Sequence, residues 1–231
     1  MTVILFDMDG VVLEGPRTDP QVYADAADAA LAALEADPTP AQRRDCRTHD
    51  HELIRTRCAE LGIDPARFWE LKESYASSGT HDRLRSGERA TYNDIDAIRD
   101  LAERTRIGLV TNNRHETAAF VAGFVGIDFD VVRGRAPTFE GYDRRKPDPY
   151  YIEDALAALG VTDGLYVGDS PKDVTAGRAA GLETAFLRRS HNRDHELPAD
   201  ATYELESLAE LPPLIESPES ASAGRKPLSL E

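Results

Sequence analysis

The chain has 231 residues and a formal net charge of −15, with 42 acidic against 27 basic residues. Such an acid excess excludes partners that demand basic surface, nucleic acid and anionic membrane faces among them. Only Lys72, Lys146, Lys172 and Lys226 are lysine, and acid excess with scarce lysine predicts a salt-adapted surface, because high salt screens the self-repulsion.

The length suits one core domain with a small insertion. The first element is the apolar run Val3-Ile4-Leu5-Phe6, read as a buried strand that Gly10 turns away. Side chains alternate along a strand, so Asp7 and Asp9 leave its carboxyl end on roughly the same side. Open α/β sheets keep their sites at that end. Two carboxylates so close repel unless a cation or a shared proton intervenes. A divalent metal is one answer, and a solvated acidic turn is the other.

Glu14-Gly15-Pro16-Arg17 ends this segment, and Glu14 and Gly15 stand where a hinge is expected. Asp19-Pro20 opens an alanine-rich helix over 22–35, which Asp37-Pro38-Thr39-Pro40 breaks. Helical pattern resumes over 41–61 and stops at Gly62. Asp64-Pro65 begins another helix through Phe68, Trp69 and Leu71 toward Tyr75, and Ser77-Ser78-Gly79 reads as a loop. Residues 15–90 are therefore an all-helical insertion, with Trp69 and Phe68 in its own core. Arg43, Arg44, Arg47, His49, His51, Arg55 and Arg57 crowd its middle. One face of that run could grip an anion, or pair in solvent with Asp45, Asp50 and Glu52; His81 and Arg83 carry the same two readings. Cys46 and Cys58 lie twelve residues apart in that stretch, roughly 18 Å along one straight helix, too far for a disulfide. They suit a reducing compartment. With no signal peptide ahead of the first strand and no apolar run of membrane length, a cytoplasmic location is expected.

The core resumes near Tyr92 with a helix over 94–104, a strand over 107–110 tipped by Thr111, Asn112 and Asn113, a helix over 115–125 and a strand over 129–132. A loop then reaches Lys146, and Asp148-Pro149 starts a helix through Ala158. In a chain that writes arginine almost everywhere, including Arg144 and Arg145, a lysine at 146 suggests a site wanting a compact ammonium. A strand over 165–167 turns at Gly168 to present Asp169; Ser170 suits an N-cap, Pro171 a first turn, and Asp173 falls one turn beyond Asp169. A strand over 184–187 and a short one near 201–203 follow. This alternation implies a Rossmann-like α/β core, a parallel sheet with helices on both faces, built from 1–14 and 91–215. Residues 216–231, rich in Ser, Pro and charge, are expected to be a disordered tail.

Acid, hydroxyl, lysine, acid, in that order on strand tips and one loop: the four motifs over residues 1 to about 190 resemble the haloacid dehalogenase-like hydrolase superfamily, and within it the capped Mg-dependent phosphatases of the phosphoglycolate phosphatase and β-phosphoglucomutase group. The resemblance implies an inserted helical cap over the site. It implies Asp7 as nucleophile, Asp9 as general acid and base, Thr111 with Asn112 and the adjacent amides on a phosphoryl oxygen, and Lys146 pairing nucleophile and phosphoryl group. It assigns Mg²⁺ to Asp7, Asp9 (through its carbonyl), Asp169 and Asp173, the last through water or as an orienter. The expected reaction is hydrolysis of a small phosphorylated metabolite, of phosphoglycolate or sugar-phosphate class, through an aspartyl-phosphate, in a monomer or small homo-oligomer. A sugar phosphomutase would use the same residues, and a non-catalytic binding protein would be expected to lose one of the acids. Dehalogenation fits poorly, since those relatives lack an acid at position 9, and a phosphonate-cleaving Schiff base would need a cap lysine where only Lys72 is available.

Overall fold

The computed structural model describes residues 3–216. Strand β1 (Val3–Phe6) is followed by helices α1 (Pro20–Ala33), α2 (Pro40–Cys46), α3 (His51–Leu61) and α4 (Pro65–Arg85). Then come α5 (Asp96–Ala102), β2 (Arg106–Arg114), α6 (His115–Val125), β3 (Val131–Arg135), α7 (Phe139–Asp143) and α8 (Tyr150–Leu159). Strand β4 (Leu165–Gly168), α9 (Pro171–Ala179), β5 (Glu183–Leu187), β6 (Tyr203–Leu205), a 3-10 turn (Leu208–Glu210) and α10 (Leu211–Glu216) complete the described residues. Among the described residues no helix is long and apolar enough to cross a membrane.

The six strands form one parallel sheet in the order β3-β2-β1-β4-β5-β6. The period of two along each strand divides the core into two layers. Ile4, Phe6, Ile107, Leu109, Leu165 and Val167 face one side, covered by Ile98 and Leu101 of α5 and Ala118 and Val121 of α6. Val3, Leu5, Val110 and Tyr166 face the other, covered by Ile152 and Ala155 of α8 and Ala176 of α9. This is the doubly wound arrangement expected. It places β1 centrally, where the crossovers change direction and a crevice opens beyond the carboxyl ends of the strands.

The helices between β1 and α5 build their own core from Ala27, Ala30, Leu31, Cys46, Ile54, Cys58, Phe68 and Trp69, with Phe139 of α7 packed into it. Two buried polar clasps tie α4 to the sheet. Arg114, at the end of β2, donates to Ala76 O (3.2 Å), Thr80 Oγ1 (3.0 Å) and Ser77 Oγ (3.0 Å). Arg135, at the end of β3, pairs with Glu73 at 2.6 Å, both groups almost wholly buried.

Several expectations need correction. The segment 77–79 is not a loop: α4 runs unbroken through it. Its small residues let α4 lie against α1, Gly79 facing Val22, while buried Ser77 meets Arg114. Conversely 41–61 is two helices, because local hydrogen bonds compete with a continuous one. Thr48 Oγ1 donates to Asp45 O, Asp50 caps α3 by accepting from Leu53 N, and buried Lys72 takes the carbonyls of Cys46 and Thr48. Cys46 and Cys58 thus sit on different helices, both buried and free. Burial also holds the Lys72 ammonium down to about 8, with Glu73 pulling the other way. In the stretch read as a loop before Lys146, Thr138 caps the short helix α7. β2 is longer than expected, and β3 begins two residues later. Apart from Glu216, which ends α10, the expected tail lies outside the described residues.

Candidate active site

Strand register assembles the site. Phe6 pairs with Leu109 on one side and Val167 on the other. The residues that follow these three are Asp7, Val110-Thr111 and Gly168-Asp169, so they emerge side by side at the carboxyl edge of the sheet. Asp7 N donates to Val167 O at 2.9 Å, which fixes the direction in which the nucleophile candidate leaves β1. Gly10, at φ +82°, turns the chain away; a Cβ there would fall 1.9 Å from Asp169 Oδ2, so Asp169 occupies the space that Gly10 leaves.

Lys146 is the hub. Its buried Nζ lies 2.9 Å from Asp7 Oδ1 and 2.7 Å from Asp173 Oδ1, and donates to Tyr166 OH at 2.6 Å. Tyr166 OH in turn donates to Val110 O at 2.7 Å. The Asn112 amide bridges the Lys146 backbone, accepting from its N–H (2.7 Å) and donating to its carbonyl (3.1 Å). Asn112, expected on substrate, therefore lines the cavity while its side chain positions Lys146. Asp173 is held by its own helix start: its Oδ2 accepts from Ser170 N at 3.0 Å and from the Ser170 hydroxyl. Thr111 is buried, and its Oγ1 accepts from Asn113 N at 3.1 Å, which leaves the hydroxyl proton free for a ligand.

The electrostatics are those of a crowded carboxylate cluster. Burial lifts the Asp7 carboxyl to about 7; Lys146 opposes this, and Asp173, Asp169 and Asp9 add to it. Burial also raises Asp169, against a short contact from His191 Nε2 (2.6 Å). Burial works against the Lys146 ammonium too, but Asp173 and Asp7 more than compensate and hold it protonated.

Asp7, Asp169 and Asp173 each offer one oxygen, all within 4.8 Å of one another. Asp7 Oδ1 and Asp173 Oδ1 are buried with only the Lys146 charge for company. An all-oxygen, multiply anionic set of this kind fits a hard divalent cation such as Mg²⁺. The Asp9 side chain faces elsewhere: Arg89 pairs with its Oδ1 at 2.7 Å, and Asn113 Nδ2 donates to its Oδ2 at 3.1 Å. Arg89 also donates to the carbonyls of Glu14 (2.9 Å) and Gly15 (3.2 Å).

These groups open into a cavity of about 380 Å³ between the sheet edge and the helical insert, lined by Asp7, Asp9, Thr111, Asn112 and Asn113 on the sheet side. Tyr23 and His49 wall it from the insert, Arg135 from the end of β3, and Tyr142 and Arg145 from the segment between β3 and Lys146. A second cavity of about 320 Å³, walled by Trp69 and Phe139, contains none of the clustered carboxylates. Of the basic run in the insert, only His49 reaches the first cavity. Arg43 and Arg47 pair with Asp28, Arg57 with Asp45 and Glu60, and Arg55 lies over the Phe139 ring. His81 stacks on Phe120 and Arg83 pairs with Asp19. Asn113 stands at the strand tip without an assigned role, and the sequence does not single out Arg89, Tyr166, Arg145 or His191 for the site. Asn113 and Tyr166 were open to the period-two rule, sharing faces with Thr111 and Gly168 respectively, whereas Arg89, Arg145 and His191 arrive from loops that carry no local signal.

Comparison with known proteins agrees with this geometry. Residues 1–181 match the haloacid dehalogenase-like hydrolase family. A pyrophosphatase PpaX from Halalkalibacterium halodurans is 27% identical over 64% of this chain and 70% of its own length. A phosphoglycolate phosphatase from Cereibacter sphaeroides is 39% identical over 44% of this chain, so this chain spans about half of that relative's length (47%). Another, from Xylella fastidiosa, is 28% identical over 94% of this chain and 92% of its own. Among solved structures, CbbY from Rhodobacter sphaeroides in complex with phosphate superposes with a TM-score of 0.60 at 24% identity, covering 90% of this chain and 95% of that one. A β-phosphoglucomutase-like protein from Thermotoga maritima gives 0.57 at 20% identity, covering 94% and 99%.

Proposed function

The chain belongs to the haloacid dehalogenase-like hydrolases, and from that premise we propose that it is a Mg²⁺-dependent phosphatase. Its substrate is a small phosphorylated metabolite of the phosphoglycolate or sugar-phosphate class, and its intermediate an aspartyl-phosphate on Asp7. The observation that carries this reading is Lys146 fixed between Asp7 and Asp173, with Asp169 completing a buried acidic cluster at the end of the central strand. Phosphoryl transfer asks for positioning and neutralised charge more than for elaborate bond chemistry.

Asp7, Asp169 and the Asp9 carbonyl would hold the cation, Asp173 acting from behind. When bound, Mg²⁺ supplies positive charge to the phosphoryl oxygens and relieves the repulsion among the carboxylates. Asp7 attacks phosphorus in line, and the P–O bond to the leaving alkoxide breaks as Asp9 gives up a proton. Water then attacks the aspartyl-phosphate, Asp9 takes its proton, and orthophosphate leaves with Asp7 regenerated. Thr111 donates its free hydroxyl proton to a phosphoryl oxygen, and Lys146 neutralises charge across both steps. Asp9 is ion-paired with Arg89 here, so it serves as acid only once Arg89 lets go; that contact lies between the two linkers to the insert, where opening and closing of a cap (residues 15–90) over a core (1–14 and 91–215) would act. The carboxylates required for hydrolysis are all present, which speaks against a purely binding role. The acid-rich, lysine-poor composition supports work at high salt.

The test is phosphate release from a panel of phosphoglycolate, sugar mono- and bisphosphates and nucleotides at high KCl, with and without Mg²⁺, beside Asp7→Asn. Mg-dependent release that Asp7→Asn abolishes supports the reading. Turnover only as isomerisation of a sugar phosphate, dependent on a bisphosphate activator, would replace it by the mutase.

A further inference from the structure

The reaction cavity holds cations that nothing in the described chain neutralises. Arg145, which immediately precedes Lys146, is partly buried in its wall. Its guanidinium lies 3.2 Å from the centre of the Tyr142 ring, and its Nε donates to Tyr142 O at 2.6 Å. Among the described residues no carboxylate pairs with Arg145, nor with Arg17 and Lys172, which line the same cavity from the first linker and from the start of α9. Arg135, in the same cavity, has Glu73, Arg83 beside another cavity has Asp19, and Arg114 beside a third spends its donors on Ser77, Thr80 and the Ala76 carbonyl. A guanidinium partly withdrawn from water and held by aromatic stacking, without a counter-ion, is a ready receptor for an anion. The positive field has a witness in His49, whose ring stacks on the same Tyr142 at 5.3 Å: burial first, then Lys72, Arg135, Arg145 and Arg114, hold its imidazole down to about 3. It therefore meets a ligand as a neutral hydrogen-bonding group.

We propose that the substrate carries a second anionic group on its leaving-group side, a carboxylate or a second phosphate, and that Arg145 holds that group, with Arg17 and Lys172 adding charge at the open side of the cavity. This rests on the phosphatase reading for the position of the first phosphate. It moves recognition away from the basic run of the insert, none of whose arginines lines the cavity, to one residue beside the lysine of the site. Arg145 suits a planar, bidentate grip on a carboxylate or phosphate that lysine cannot reproduce.

The experiment uses matched pairs that differ only in the second charge: 2-phosphoglycolate against ethyl phosphate, and a sugar bisphosphate against its monophosphate. Binding of each is measured by calorimetry to Asp7→Asn with Mg²⁺, with and without Arg145→Gln, and hydrolysis is measured in the otherwise native chain. The acidic member of one pair is expected to bind about tenfold tighter or more, and that pair identifies carboxylate or phosphate as the group held. Arg145→Gln removes the advantage and raises KM for the acidic member more than it lowers kcat; Arg145→Lys restores part of it. Should Arg145→Gln not fold, Arg145→Lys is read against the native residue in the same way. Equal binding of both members, or a preference that survives Arg145→Gln, overturns the inference. Hydrolysis of both members at equal rates overturns it and leaves the phosphatase reading standing. Tighter binding of the acidic member with no hydrolysis of anything does the reverse.

Discussion

Lys146→Met removes the one cation between two buried carboxylates, and its cost should depend on pH in a definite direction. Nζ lies within 3 Å of both Asp7 and Asp173, and all three groups are almost fully buried. Breaking a buried pair by deleting one partner costs roughly 3–5 kcal/mol, because the other charge stays buried and uncompensated. For a domain of this size that is a fall in melting temperature of roughly 6–20 °C. Unfolded, Asp7 ionises near 3.8; folded, it keeps its proton up to about 7. The native state thus binds more protons than the unfolded state between those values, and metal-free stability falls as pH rises across that window. Without Lys146, which pulls the Asp7 value down, the window extends above 7 and the loss continues there. Thermal unfolding in EDTA should therefore show Lys146→Met further below the native chain at pH 8.5 than at pH 5.5, where Asp7 is protonated in both and the Asp173 ion pair is the one charge pairing lost. A variant melting within 2 °C of the native chain at pH 8.5, or an equal gap at both values, would refute the reasoning.

Three further outcomes follow from the same structure. Adding Mg²⁺ to the metal-free protein should raise the melting temperature by several degrees, and Asp169→Asn should abolish most of that rise; a rise undiminished in the variant would place the cation elsewhere. His49, held to about 3 when folded against 6.5 unfolded, favours the native state above pH 6.5, and that contribution is lost as pH falls toward 3. Relative to His49→Gln, the native chain should lose about 2–3 kcal/mol between pH 7 and pH 4.5 in urea unfolding, and parallel pH curves would contradict this. Glu73→Gln leaves the Arg135 guanidinium buried without its counter-charge and should cost about 3 kcal/mol; a Glu73→Leu, Arg135→Met double variant should recover most of that loss, and no recovery would show that the pair is not the source.

Much of this was legible in the sequence because the chemistry sits on the regular part of the fold. Asp7, Thr111 and Asp169 follow apolar strands whose register brings them together, and Ser170, Pro171 and Asp173 write a helix start. Less was legible where side chains compete with backbone for hydrogen bonds. Asp50 and Lys72 cut one helical pattern into two, and in the stretch 77–79, which spells a loop, Ser77 meets Arg114 and Gly79 lets α4 approach α1. Local pattern cannot reveal that Arg89 reaches Asp9 across 80 residues or that His191 leans on Asp169, since those contacts exist only once the sheet is wound. The basic run of the insert left two readings open, and pairing with acids is the one found: Arg57 takes Asp45 and Glu60, while Arg43 and Arg47 take Asp28, a partner on α1 that local pattern does not reveal.

The central claim is that Asp7 carries the phosphoryl group. Mass spectrometry of the native protein after rapid acid quench with Mg²⁺ and the best substrate of the panel tests it most directly. A phosphoryl adduct on the peptide that contains Asp7, absent from Asp7→Asn and from samples without Mg²⁺, is the predicted result. Full turnover by Asp7→Asn, or an adduct on any other residue, would contradict it.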